Sequence, residues 1–340
     1  MPSVIELIQS LVNGIGVGLV YGLIAIGFCV IYNASGIVNF AQGVFVMLGG
    51  MFAYSLLVSL KLPLVLAAAL SIVLVAGVGV LVQILIIRPM WERKAPMFAI
   101  ILATLAVQLL IEQIVILTMG DQPRTFPEFT SGGPLKIGDI AIGYQLFWVL
   151  GCGALMVWLL TLFFNKTRVG RALRACSQNR EAAALLGIPV GAMLMLSFAL
   201  SAGLGAAAGI LITPMQYTAY SVGGPFGVNG FIAAIIGGFG SAPAALLGGV
   251  LLGVAQAAAI VIFGAGFKNV AALTILLIVL GLAGLIYGGV SWTHPDKVVD
   301  VGPIEVTRDK RESLPIPPIA GAVAIIAGAI VLVAGGRGRA

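Results

Sequence analysis

LPLVLAAALSIVLVAGVGVLVQILIIRPMWERK, residues 62–94, runs for 26 residues without a charge and then places Arg88, Glu92, Arg93 and Lys94 within seven. About 20 apolar residues at ~1.5 Å rise cross the hydrocarbon core of a bilayer, so this stretch reads as a membrane span ending in a basic loop. The same pattern fills the chain. Windows 7–60, 62–87, 140–165, 182–267, 269–295 and 313–336 contain no Asp, Glu, Lys or Arg and take up more than two thirds of the 340 residues. Charged residues make up 9% of the chain, against about 25% in soluble proteins, while 60% are hydrophobic and the mean hydropathy is +1.14. So few charges cannot coat a soluble globule. The expected fold class is all-α, a polytopic transmembrane helical bundle.

Apolar spans are expected at 9–32, 37–57, 64–87, 96–118, 144–164, 191–213, 229–263 and 270–288, with 229–263 broken near Gly240 to Pro243. That makes eight core spans, or nine if the broken segment crosses twice, and an additional hydrophobic run follows at 318–334. Loop charges orient the bundle. Residues 165–181 carry Lys166, Arg168, Arg171, Arg174 and Arg180 against Glu181, and 88–94 carry Arg88, Arg93 and Lys94 against Glu92. The positive-inside rule assigns both to the cytoplasm. The loop 119–143, with Asp121, Glu128 and Asp139 against Arg124 and Lys136, belongs outside, and single spans at 96–118 and 144–164 make the three assignments consistent.

Several function classes drop out. One histidine, His294, and three scattered cysteines, Cys29, Cys152 and Cys176, offer neither a metal-ligand cluster nor a disulfide framework. The net charge of +6 sits in short loops, so it reads as topology and not as a nucleic-acid face. Glu6 and the lack of a basic residue before the first apolar run make the N-terminus a first span and not a cleaved leader. None of the lysines follows a glycine, so the phosphate loop of an ATPase is missing and ATP would have to be bound by a partner.

Gly14, Gly18 and Gly22 share one face of the first span, and Gly205 with Gly209 and Gly249 with Gly253 repeat the spacing. Small residues at this interval allow helices to approach closely, either within one subunit or between two. Asn39 opens N-F-A-Q-G-V-F-V-M-L-G-G and Asn229 opens N-G-F-I-A-A-I-I-G-G, each after a glycine-containing break. Paired interrupted helices in two halves of a membrane protein point to a transport pathway at their interface, with chance similarity of glycine-rich segments as the alternative.

Polar side chains inside apolar spans are costly and so are functional candidates. Asn39, Gln42, Asn229, Gln256 and above all Glu112 qualify, with Gln108 and Gln113 beside it. Glu112 lies six residues from the span end near 118, about 9 Å along the axis, which also suits a structural or interfacial position. Asn39 and Gln42 are three apart, and Asn39 also reads as the cap of a helix start. Tyr217 and Tyr220 in the outer segment after Pro214 read as interfacial anchors or as part of a receiving surface for a partner.

The loop 165–190 is the most specific feature: N-K-T-R-V-G-R-A-L-R-A-C-S-Q-N-R-E-A-A-A-L-L-G-I-P. Asn179 starts an E-A-A-A helix and Gly187 with Pro189 ends it, giving a short basic amphipathic helix that lies in a partner's groove or simply connects two spans. At Arg174, Ala175, Ala182, Ala183, Gly187 and Ile188 it resembles the coupling segment of permease subunits of ABC importers for branched-chain amino acids. The chain is similar to that family also at Asn39 to Gly43, at Arg88 and Pro89, at Ala103 to Leu105, at G-G-F-G-S (Gly237 to Ser241) and at G-G-V-L-L-G (Gly248 to Gly253), in family order across residues 10–288. Ala244 and Gln256 depart from the family pattern, as does the ending L-G-L-A-G-L-I-Y-G at 280–288.

The resemblance implies a non-enzymatic permease subunit in a bacterial inner membrane, pairing with a second permease or a second copy. Two ATPase subunits would dock on the coupling loop through Arg171, Arg174, Asn179, Arg180, Glu181, Ala182, Ala183, Leu186 and Gly187. An extracytoplasmic solute-binding protein would deliver branched-chain or related small hydrophobic amino acids. Relatives for urea, amides or aromatic acids, and a stand-alone channel, are the alternatives. The implied organisation is a permease domain at 1–288, a charged Pro-containing tail or linker at 289–316 and a hydrophobic C-terminal segment at 317–340.

Overall fold

The computed structural model describes residues 4–130, 132–287, 290–301 and 304–314. Among them, eight helices are long and apolar enough to cross a membrane. The first is α1 (Val4–Ser35); α2 (Gln42–Tyr54) continues through a π turn to Ser59. Then come α3 (Leu64–Val82), extended by a π turn and the short α4 (Arg88–Glu92), and α5 (Met97–Met119). A two-stranded hairpin, β1 (Leu135–Ile137) with β2 (Ile140–Ile142), precedes α6 (Tyr144–Lys166). Two short helices, α7 (Arg168–Gln178) and α8 (Arg180–Leu185), lead into α9 (Val190–Ile212). The last two spans are α10 (Gly223–Gly237) and α11 (Ala242–Phe263).

The described residues up to 262 form one compact unit and those from 263 on form another. The second contains α12 (Lys268–Tyr287), at the place of the expected 270–288 span, and the antiparallel strands β3 (Val290–Val301) and β4 (Ile304–Leu314), which fall in the stretch read as tail or linker. The expected hydrophobic run 318–334 lies outside the described residues.

Prolines set several boundaries. Pro63, Pro96 and Pro189 stand immediately before α3, α5 and α9, where a missing N–H leaves no helical bond unmade. The segment expected over 229–263 is two helices with a break at Gly238 to Ser241. The first of them begins at Gly223, six residues before Asn229, so Asn229 lies in mid-helix and does not open the segment. Gly223, Gly224 and Gly227 read as a break in sequence but lie within the first turns of α10, whose first turn also holds Pro225, where proline is tolerated. The segment expected from residue 37 likewise becomes helical only at Gln42, after a turn spanning Gly36 to Ala41.

Helix α9 is the centre of the first unit, packed by α1, α2 and α3. Phe45, Phe198, Val75, Met47 and Ala202 are fully enclosed in its main cluster. In a bilayer the lipid is as apolar as the core, so close packing and not water exclusion holds helices together. The glycine faces supply that packing within the subunit. A Cβ on Gly18 would stand 2.8 Å from the Gly249 carbonyl oxygen and from Val250 Cα, and one on Gly22 2.8 Å from Leu246 Cα, so α1 and α11 touch backbone to backbone. A Cβ on Gly205 would lie 2.9 Å from Phe45 Cβ, which seats α9 on α2. The two interrupted helices also meet: a Cβ on Gly227 of α10 would be 3.1 Å from Gly43 Cα of α2.

Candidate functional site

The basic loop folds as two capped helices. The Thr167 hydroxyl accepts from the Gly170 amide at 2.9 Å to start α7, and the Asn179 side chain accepts from the Ala182 amide at 2.9 Å to start α8. Gly187 ends α8 with φ +79, a conformation that costs a Cβ-bearing residue more than glycine. The Gly187 amide donates to the Ala184 carbonyl at 2.9 Å and Ile188 to Ala183 at 3.0 Å, closing the last carbonyls of the helix. The helix stop expected at Gly187 is therefore present.

This elbow has two faces. Glu181, Ala182 and Gly187 are exposed, and Leu185 and Leu186 are 89% and 80% exposed at its tip. Ala183, expected to contact a partner, is instead buried against its own chain, beside the stretch where Leu173 and Cys176 are also enclosed. Arg180 turns inward as well. Its Nε donates to the Ala34 carbonyl at the end of α1 at 3.2 Å, and its guanidinium lies 4.7 Å from the centre of the Trp91 ring in α4. Arg180 thus ties the elbow to two spans, while Arg171 and Arg174 are exposed on α7. Sequence alone gave no signal for the inward turn of Arg180 or for Leu185, because an arginine beside an acid and a leucine pair read equally well as solvated loop.

The contact between Arg180 and Trp91 puts the two basic loops, 88–94 and 165–190, at the same end of the bundle. At another corner, Arg124 of the loop 119–143 exchanges backbone hydrogen bonds with Thr218 at 2.8 Å each way, and its side chain lies over the Tyr54 ring at the end of α2. Tyr217 is about half exposed beside this bridge, and Tyr220 starts a short turn into α10.

The buried polar candidates separate into pairs. Gln42 is fully enclosed: its Nε2 donates to the Ser201 carbonyl at 3.1 Å, and its Oε1 at 2.6 Å shares the single Ser201 hydroxyl proton with the Gly27 carbonyl at 2.8 Å. That ties α1, α2 and α9. Asn39 is 1% exposed, and its Oδ1 accepts from the Ala41 amide at 3.1 Å; it shapes the turn and does not stand at the cap position, which Ala41 holds. Among the described residues, Asn39 Nδ2 has no hydrogen-bond partner. Gln256 of α11 donates to Asn229 Oδ1 at 2.7 Å, and Asn229 donates to the Pro225 carbonyl at 2.9 Å, so these two form one buried pair joining α11 to α10.

Glu112 differs from the others. It is half-buried on α5, accepts from Gln108 Nε2 at 3.1 Å, and a Cβ on Gly223 would be 3.5 Å from its Oε1. Glu112 and Gln108 therefore face the first residues of α10, whose positive dipole end favours a negative group. Gln113 is exposed one residue further round α5. Among the described residues no group of His, Cys, Asp or Glu is arranged to hold a metal ion.

The model of the family described as branched-chain amino acid transport system / permease component matches residues 10–287. The high-affinity branched-chain amino acid transport system permease protein BraD of Pseudomonas aeruginosa is 33% identical over 294 residues, 82% of this chain and 95% of the relative. The corresponding permease protein LivH of Escherichia coli K12 is 29% identical over 293 residues, 80% of this chain and 92% of the relative. The ribose import permease protein RbsC of the same strain is 26% identical over 259 residues, 72% of this chain and 76% of the relative. No solved structure gives a significant match.

Proposed function

Because this chain belongs to the branched-chain amino acid permease family, and is a multi-pass membrane transport subunit and not an enzyme, we propose that it is the translocating subunit of an ATP-driven importer. In this reading it lies in a bacterial inner membrane with a second permease subunit, receives branched-chain or similar small hydrophobic amino acids from an extracytoplasmic binding protein, and takes its energy from two ATPase subunits on the opposite side. The observation that carries the proposal is the elbow α7–α8: a capped, basic element with Leu185 and Leu186 exposed at its tip and Arg180 bound to α1 and α4.

The mechanism follows from that arrangement. An ATPase groove would take the exposed Leu185, Leu186 and Ala182, with Glu181 and Arg171 at its rim. Force on α8 would pass through Arg180 to the end of α1 and to Trp91, and so to the spans that meet α9. Gln42, Asn229 and Gln256, each bonded to a neighbouring helix, would keep helices in register, whereas Glu112 and Gln108 on α5, facing the start of α10, would be the polar groups that meet a passing solute. Deleting the gene in its host and measuring uptake of labelled leucine, isoleucine and valine against urea and short amides tests the solute class. Loss confined to the branched-chain amino acids supports the proposal, and loss confined to urea or amides replaces it with the neighbouring solute class.

A further inference from the structure

At the basic-loop end of the first unit a cavity of about 450 Å³ lies between α1, α6, α7 and the break before α11. Its polar wall comes from Asn33, Thr161, Asn165, Arg174, Ser177 and Ser241. These groups include no acid, and Arg174 brings a guanidinium to the rim, held in place by the Asn165 side-chain oxygen. The backbone adds to the same sign. Ser241 directly precedes Ala242, the first residue of α11, so the positive dipole end of that helix borders the cavity. The remaining wall is apolar, with Val30, Leu160 and Phe164. Neither Gln42 nor the Asn229 and Gln256 pair reaches it, so it is separate from the polar groups considered for the solute.

We infer that this cavity binds the phosphate headgroup of an anionic phospholipid from the adjoining leaflet. An arginine with hydroxyl and amide donors around it suits a phosphate oxygen. Basic pockets between spans at a membrane surface are the sites where anionic headgroups bind. The lipid source is favoured over a free phosphate by the neighbouring surface. Leu155, Trp158 and Leu159 leave an apolar face of α6 uncovered, at 50%, 57% and 50% exposure. That face runs along the same helix toward Thr161 and Asn165, so acyl chains lying on it would deliver a headgroup to the cavity. Because α7 forms one wall and the start of α11 another, the bound headgroup bridges the elbow and the interrupted span.

The test is native mass spectrometry of the full chain released from detergent, with phosphatidylglycerol, phosphatidylcholine or inorganic phosphate added. The wild type should retain one phosphatidylglycerol that phosphatidylcholine and inorganic phosphate do not displace. Arg174→Gln should weaken retention about tenfold, the loss expected for one charge-assisted contact. Ser177→Leu, which fills the cavity without changing charge, should weaken it to a similar extent, and Thr161→Val should do so more mildly. Arg171→Gln, on the same helix but outside the cavity, should leave it unchanged. Equal retention in the wild type, Arg174→Gln and Thr161→Val would overturn the assignment, as would equal loss in Arg171→Gln. Displacement by inorganic phosphate would overturn the lipid source.

Discussion

Replacing Arg180 by alanine separates two roles that a coupling loop combines, gripping a partner and passing force to the membrane. The side chain gives the Ala34 carbonyl a charged hydrogen bond at 3.2 Å and stacks 4.7 Å from the Trp91 ring centre. Charged hydrogen bonds contribute about 1.5–3 kcal/mol and cation–π contacts about 0.5–2 kcal/mol. The two share one guanidinium that is partly exposed, so they do not add, and a net loss of about 2 kcal/mol is the reasoned figure. The Ala34 carbonyl lies in the last turn of α1 and has no intrahelical donor to replace Arg180. A loss of ~2 kcal/mol raises opening of the elbow about thirtyfold. Hydrogen exchange of amides 168–187 should accelerate by that order in Arg180→Ala, while ATPase subunits are still captured and ATP-driven uptake falls. Arg180→Lys keeps the charge but not the planar fork, and should recover only part of the protection. Unchanged exchange at 168–187 together with lost ATPase capture would refute the inward anchor and make Arg180 a docking residue.

Three further outcomes follow from the same geometry. Leu185→Ser with Leu186→Ser should abolish ATPase capture and leave the thermal midpoint of the membrane subunit within a degree or so, because both side chains lie on the surface of the subunit and substitutions there cost little. Gly249→Leu should destabilise the bundle by at least about 1–3 kcal/mol, read as a lower midpoint in a detergent thermal scan, because its Cβ would enter the Gly18 and Gly22 backbone. Cys176 is 1% exposed and burial raises its thiol pKa, with Arg180 pulling the other way. A raised pKa means less thiolate at a given pH, so maleimide labelling of Cys176 should need a higher pH than labelling of a free thiol; Arg180→Ala removes the charge that lowers this pKa but opens the elbow about thirtyfold, and the opening should win, giving faster labelling.

The spans were legible because lipid exposure demands long uncharged runs, and a run such as 62–87 has no other reading. The elbow was legible through its caps: Asn179 and Gly187 are residues chosen for backbone geometry, which sequence displays directly. The start of α10 was not. Gly223, Gly224 and Gly227 signal a break in an isolated chain, and only the close approach of Gly227 to Gly43 shows that small residues are there for packing. Similarly, Gln42 and Glu112 look alike in sequence as polar residues in apolar spans. Their difference lies in partners from distant segments, Ser201 for the one and the α10 start for the other, which local pattern does not encode.

The central claim, that this bundle moves solute only when a soluble ATPase works on its elbow, is tested most directly in proteoliposomes. Uptake of labelled leucine should require the permease, its ATPase subunits, the binding protein and ATP together, and should stop when Leu185 and Leu186 are replaced by serine. Leucine equilibration by the chain alone, without ATP or ATPase, would contradict it.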